Sequence, residues 1–232
     1  LWLYLFDSDG RTLASWREAI GKDAGSAVVL DSRAIRARFD LAPFTGQLFL
    51  HVIGAAGHDV VKYALDTYGD DPTVLSCTHD ANAWPADLYA GLPAPAAGER
   101  VILWVQNSHP RAIAPKSVGV NLMGSADVHW LDRMIGPFAT HALDVASLLP
   151  LARWPEQIEI QAGRHFVRPR YEVLGPNGRQ RIAHPNVERI DLAPDPRIAE
   201  LGNLMGKGYL LPAPILPIER FATAVLPTPM ST

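Results

Sequence analysis

The chain has 232 residues, 48% of them hydrophobic and 19% charged, with a net charge of −3 and a single cysteine. This is ordinary globular composition, with no cationic field to draw nucleic acid or an anionic membrane and no apolar run long enough to cross a bilayer as a helix. Cys77 has no second cysteine to join, so the fold does not depend on an internal disulfide and the redox compartment stays open.

Short apolar segments alternate with turn chemistry along the chain, the pattern of an all-β protein and not of a helical or α/β one. Residues 1–6 open as a strand with two apolar faces, Trp2, Tyr4 and Phe6 on one and Leu1, Leu3 and Leu5 on the other. Asp7, Ser8, Asp9 and Gly10 then make a turn; it begins like a calcium loop but lacks the later ligands, so a type I turn is expected. After 27–30, Asp31 or Ser32 is placed to cap a short helical turn through Phe39. Strands are expected at 48–53 and 60–65, followed by an irregular turn at 68–72. The passage 84–99, with Pro85, Pro93, Pro95 and Gly98, suits a stiff extended linker. Beyond it, 101–106 reads as a strand and 144–149 as a second capped turn stopped by Pro150. Strands at 158–162 and 166–174 follow, the latter forming a hairpin with 179–183 through Gly175, Pro176, Asn177 and Gly178. A short helix is expected within 196–205.

The two halves carry the same features in the same order. Leu1 and Val101, Leu30 and Leu143, Gln47 and Gln157, Tyr63 and Tyr171, and His79 and His184 are separated by 100, 113, 110, 108 and 105 residues. A period of that size is too long for a solenoid and right for a small domain. The expected architecture is therefore a tandem of immunoglobulin-like antiparallel β-sandwich domains joined by the proline-rich linker. Unit 1 spans 1–90 and unit 2 spans 91–192, while 193–232 is a connecting segment with a C-terminal strand. That last stretch repeats the first passage, since Leu210 to Pro214 echoes Gly91 to Pro95 and an apolar run at 221–226 stands where a third unit would begin. Because the chain starts inside a strand, upstream residues, a signal peptide among them, are expected to precede it.

Aligned on each other, the halves sort strand faces. Leu48, Leu50 and Val52 match Ile158, Ile160 and Ala162 and are assigned inward. The opposite face holds Phe49, His51 and Ile53 in the first half against Glu159, Gln161 and Gly163 in the second. An apolar face at that place calls for a cover: the other half, the C-terminal segment, a loop, or a partner protein or second copy. The stripe Trp2, Tyr4, Phe6 is open to two readings, packing in a doubly buried strand or a platform for sugar rings. Arg168 and Arg170 alternate along one strand face, and Arg181 from the hairpin partner is expected beside them, a cluster able to fork onto sulfate, phosphate or a uronate or simply to be solvated.

His79 and His184, each followed within a few residues by an asparagine, Asn82 and Asn186, are expected to hydrogen-bond a loop backbone, and Cys77 to be a small core residue because its counterpart is Ile182. His51, His58, Asp59 and His79 are the weak candidates for a metal. The chain contains no H-E-x-x-H, G-x-S-x-G, phosphate-loop or dinucleotide signature. No cofactor is expected. The functional expectation is a non-catalytic binding, adhesion or assembly protein of the bacterial envelope or cell surface, periplasmic or surface-located, with a protein partner, self-association through the apolar face of unit 1, or polysaccharide as its target. A carbohydrate-binding accessory module is the alternative, and an enzyme built from His58, Asp59, His79 and Asp80 is the third.

Overall fold

The computed structural model describes residues 1–19, 27–51, 63–68, 75–80, 85–165, 169–178 and 180–187. Leu1–Val187 form one compact unit and Glu188–Thr232 a second. The expected connecting segment, helix and C-terminal strand of 193–232 lie outside the described residues.

The first half contains β1 (Trp2–Asp7), β2 (Thr12–Arg17), α1 (Ser32–Arg38), β3 (Gly46–His51), β4 (Tyr63–Tyr68) and β5 (Leu75–Asp80). β1 lies between β2 and β3 in an antiparallel sheet, with Trp2 across from Arg17 and His51, and Tyr4 across from Ser15 and Phe49. Alternation puts Leu3 and Leu5 on the other face, where they are buried with Trp16. That face is covered by Ile35 of α1 and by Phe39 and Leu41 after it, and Leu48 and Leu50 pack there as expected. The capped turn forms as the sequence anticipates: Asp31 is the N-cap, its carboxylate accepting the Ala34 N–H at 2.8 Å.

The second half contains β6 (Leu88–Pro93), β7 (Arg100–Gln106), β8 (Gly119–Leu122), β9 (His129–Trp130), β10 (Thr140–Asp144), α2 (Val145–Leu148), β11 (Gln157–Gln161), β12 (Arg170–Leu174), β13 (Gln180–Ala183) and β14 (Asn186–Val187). One antiparallel sheet runs β14-β6-β11-β8-β9 and the other β10-β7-β12-β13. Tyr89, Leu92, Val120, Ile158 and Ile160 from the first meet Val101, Leu103, Val105, Leu143 and Val173 from the second in one core, so the two sheets face each other as a sandwich. Ile158, Ile160 and Ala162 are fully buried, as the face assignment required.

The passage expected to be a linker contains an interior strand. β6 pairs with both β11 and β14, and Tyr89, Leu92 and Ala94 are buried, so the boundary expected between residues 90 and 91 falls inside a strand of the sandwich. Its prolines had pointed to a linker, but Pro93 stands at the strand's end and Pro95 beyond it, where no ladder N–H is lost. Ile158 faces Leu92 while Ile160 faces Tyr89, leaving Ala90 and Gly91 opposite Glu159. Gly91 takes φ +87 in this bulge, and the extra residue lets both Tyr89 and Leu92 point inward.

Each half has an opening strand and a short capped helix followed by at least three strands, but the second half carries more strands, β8, β9 and β10 standing where the first has only β2, and the pairings differ. β1 and β3 are neighbours, whereas their counterparts β7 and β11 lie in different sheets. What does recur is the end of the first strand. Asp7 accepts the Asp9 N–H at 2.9 Å, and Asn107, a hundred residues on, accepts the His109 N–H at 3.0 Å. The two halves also meet here. Thr140 N–H donates to Ser8 O at 3.0 Å, and the buried Gln47 amide donates to Asn107 O and Phe138 O at 2.9 and 2.6 Å. Asn107, wholly buried, donates in turn to Arg111 O and Gly136 O, both at 2.8 Å.

Candidate functional site

The aromatic stripe on β1 is a stacked ladder. Trp2 and Tyr4 stack at 5.6 Å, Tyr4 and Phe6 at 6.3 Å, and Phe6 and Phe138 at 4.5 Å between ring centroids. The Arg17 guanidinium lies over the Trp2 ring, 4.9 Å from its centroid. The ring faces a pyranose would need are thus occupied by one another, and the packing reading fits the geometry better than the sugar platform. Phe138, from the loop before β10, also meets Phe49 edge-on at 6.3 Å, so the second half covers this end of the apolar face. His51, across from Trp2, is exposed; Ile53 lies outside the described residues.

Of the three arginines, the two that are described, Arg170 and Arg181, do not share a strand face. Arg168 lies outside the described residues, and Arg170 is buried, across from Trp104, on the strand face it shares with Glu172. Glu172 accepts the Trp104 indole N–H at 3.2 Å and a hydrogen bond from the Gln180 amide. Arg181 stands across from Val173, a core residue, and therefore on the opposite face from Arg170. The sequence reading placed Arg181 beside Arg170; the hairpin closes through a 3-10 turn at Pro176–Gly178 that sets Leu174 against Gln180 and shifts the pairing. From there Arg181 reaches Glu99 at 3.4 Å, and its charge opposes the burial that raises the Tyr171 phenol.

Among the described residues no histidines gather as a metal site. His184 Nδ1 shares a 2.6 Å hydrogen bond with the buried Thr78 hydroxyl, a side-chain partner where a backbone one was expected. Beside it Ser76 Oγ accepts from Ile182 N–H at 2.8 Å and donates to Ile182 O at 3.0 Å, so a hydroxyl substitutes for a rung of ladder between β5 and β13. His79 lies on β5 across from Ala64; His58 and Asp59 lie outside the described residues. Among the described residues no three His, Cys, Asp or Glu side chains gather as a metal site, and no helix is long and apolar enough to cross a membrane. Cys77 is exposed, not a core residue, and stands across from Asp66. The hydrogen bond to that carboxylate, then desolvation and the carboxylate's charge, push the thiol above its ordinary pKa. The inference from Ile182 failed because Cys77 and Ile182 sit on hairpins with different neighbours.

One surface gathers polar and aromatic groups around a depression. β10 ends at Asp144, which caps α2 through the Ala146 N–H at 3.0 Å and holds Arg100 at 3.0 Å. Pro150 follows the single helical turn, and the chain returns through Leu151, Arg153 and Trp154 to β11. Trp154 N–H donates to Pro95 O at 3.2 Å, tying this return to the turn after β6. Between them lies a groove of about 540 Å³ lined by Pro95, Glu99, Ala146, Pro150, Arg153 and Trp154 among others. Arg153 Nη1 donates to Pro150 O and Ala152 O at 2.7 Å each, and Glu99 accepts the Ala96 N–H at 3.4 Å. None of these groove residues is singled out as a site by the sequence, although Trp154 stands three residues before Gln157 as Phe44 stands three before Gln47. Phe44 is 36% exposed and Trp154 38%. Comparison with family models, with curated proteins and with solved structures finds no match.

Proposed function

We propose that this chain is a non-catalytic β-sandwich protein whose role is binding or assembly, at the bacterial envelope or cell surface. The observation that carries the reading is the pair Phe44 and Trp154. Each stands between a short N-capped helix and the strand that follows, and each leaves over a third of its surface in water. Core packing does not account for an aromatic group retained at the same place in both halves and exposed in both. Covering such a group with a ligand or partner recovers apolar area worth roughly 25 cal/mol per Å². Trp130, Met134 and Leu151, exposed by 43, 60 and 84%, add to the apolar surface of the second half.

The tandem immunoglobulin-like reading belongs to the same proposal. It is supported by the repeated asparagine or aspartate turn after β1 and β7 and by the two capped helices, with β6 assigned to the second unit. An envelope setting offers both protein and polysaccharide surfaces to such a module.

The test is light scattering on a sizing column together with a thermal-shift screen against polysaccharides and envelope extracts. The expected outcome is association or stabilisation that the double variant Phe44→Ser, Trp154→Ser loses while its circular dichroism is unchanged. A strictly monomeric protein indifferent to every preparation would overturn the proposal.

A further inference from the structure

The groove beside Trp154 carries more than exposure, because its donors and acceptors restrict what fits. Its volume, about 540 Å³, is in the range of sites for small molecules or chain segments. Prolines 95 and 150 and Ala146 give it rigid apolar walls and Trp154 an indole. Arg153, whose Nη1 is taken by Pro150 O and Ala152 O, offers Nε and Nη2 as donors, and Glu99, whose two oxygens accept from Ala96 N–H and Arg181 at 3.4 Å each, offers its remaining lone pairs as acceptors.

Charge is balanced around it. Asp144 is matched by Arg100 at 3.0 Å and Glu99 by Arg181 at 3.4 Å, while the Glu156 carboxylate accepts the Arg153 N–H at 2.7 Å. An anionic ligand would meet three carboxylates and a cationic one three guanidinium groups, so neither sign is favoured. The backbone groups a peptide would pair with are already engaged: Trp154 N–H with Pro95 O, Ala96 N–H with Glu99, and Pro150 O and Ala152 O with Arg153. What remains are one side-chain donor, Arg153, and one side-chain acceptor, Glu99, beside an aromatic wall. Hydroxyl groups both accept and donate, and the C–H face of a pyranose is flat and apolar.

We infer that the groove formed by Pro95, Glu99, Pro150, Arg153 and Trp154 binds a segment of neutral polysaccharide, with Trp154 contacting a sugar ring and Arg153 and Glu99 its hydroxyls. This rests on the binding reading above and names its ligand class.

The experiment uses the full 232-residue chain in affinity electrophoresis and titration calorimetry. The probes are soluble neutral polysaccharides (β-glucan, xylan, mannan and dextran), one anionic polysaccharide and a set of immobilised proline-rich peptides. Retardation by at least one neutral polymer is expected, unchanged by added salt because no net charge is exchanged. Trp154→Ala should weaken it by about tenfold or more, since truncating a central aromatic anchor has that scale of effect. Trp154→Phe should retain most of the affinity, which separates loss of the ring from loss of fold. Glu99→Gln should weaken it less, and Val29→Ser, at an exposed position away from the groove, should leave it unchanged. Binding to the anionic polymer alone, or Trp154-dependent capture by the peptides, overturns the glycan assignment while leaving the binding reading intact. Absence of any association sensitive to Phe44 or Trp154 overturns both.

Discussion

His141 and Cys77 are the two side chains whose surroundings move their titration in opposite directions. His141, half-buried on β10, is held below its ordinary value of 6.5 first by desolvation and then by the Arg133 charge, with Asp9 opposing. A histidine depressed in the folded state binds its proton more readily once unfolded, so stability is lost as pH falls through the region just below that value. Thermal melts between neutral pH and pH 5 should show this decline, and His141→Gln should flatten it; an unchanged slope in the variant would assign the effect elsewhere. Cys77 is shifted up by Asp66, so less thiolate is present at mildly alkaline pH. Alkylation by iodoacetamide should be slow for so exposed a thiol, and Asp66→Asn should accelerate it. Asn107 acts by geometry instead. Its buried amide satisfies part-buried carbonyls at Arg111 and Gly136, and Asn107→Ala, which removes both bonds, should cost about 1–3 kcal/mol, readable as a lower urea midpoint.

At the level of elements, the hairpin between β1 and β2 is docked on the second half with little clearance. Gly10 takes φ +84, and a methyl group added there would lie 1.9 Å from Pro137 O. Gly10→Ala should therefore separate the hairpin from the 136–139 loop and expose the Phe6–Phe138 stack, at a cost exceeding about 1 kcal/mol. Hydrogen exchange at Thr140, whose N–H reaches Ser8 O, reports on that opening. The helices were legible in the sequence because an N-cap aspartate is a local signal, and Asp31 and Asp144 both act as read. β2, β8 and β9 were not: Ser15 and Arg17 interrupt the first, Gly119 and Asn121 the second, and the last is only His129–Trp130. Such strands are defined by a neighbour's open edge, which the residues themselves do not encode.

For the molecule as a whole, stability resides in the core shared by the two sheets of the second half. Leu103 is fully buried there, and Leu103→Ala should cost about 2–5 kcal/mol by denaturant titration. Alternation of apolar residues sufficed to identify an antiparallel all-β protein and the inward faces of β3 and β11, since both follow from side-chain periodicity along single segments. It could not say that β6 is a strand, that Arg170 and Arg181 point to opposite faces, or that Phe138 closes over Phe6. Those depend on hydrogen-bonded register and on which loops meet, and both are set by residues far apart in the chain. The candidate site divides the same way. The sequence by itself determined that Phe44 and Trp154 share one spacing, each three residues before a glutamine, Gln47 and Gln157; only the tertiary structure decided that Trp154 stands in a groove with Arg153 and Glu99, because that groove exists only where the turn after β6 packs against the return from α2.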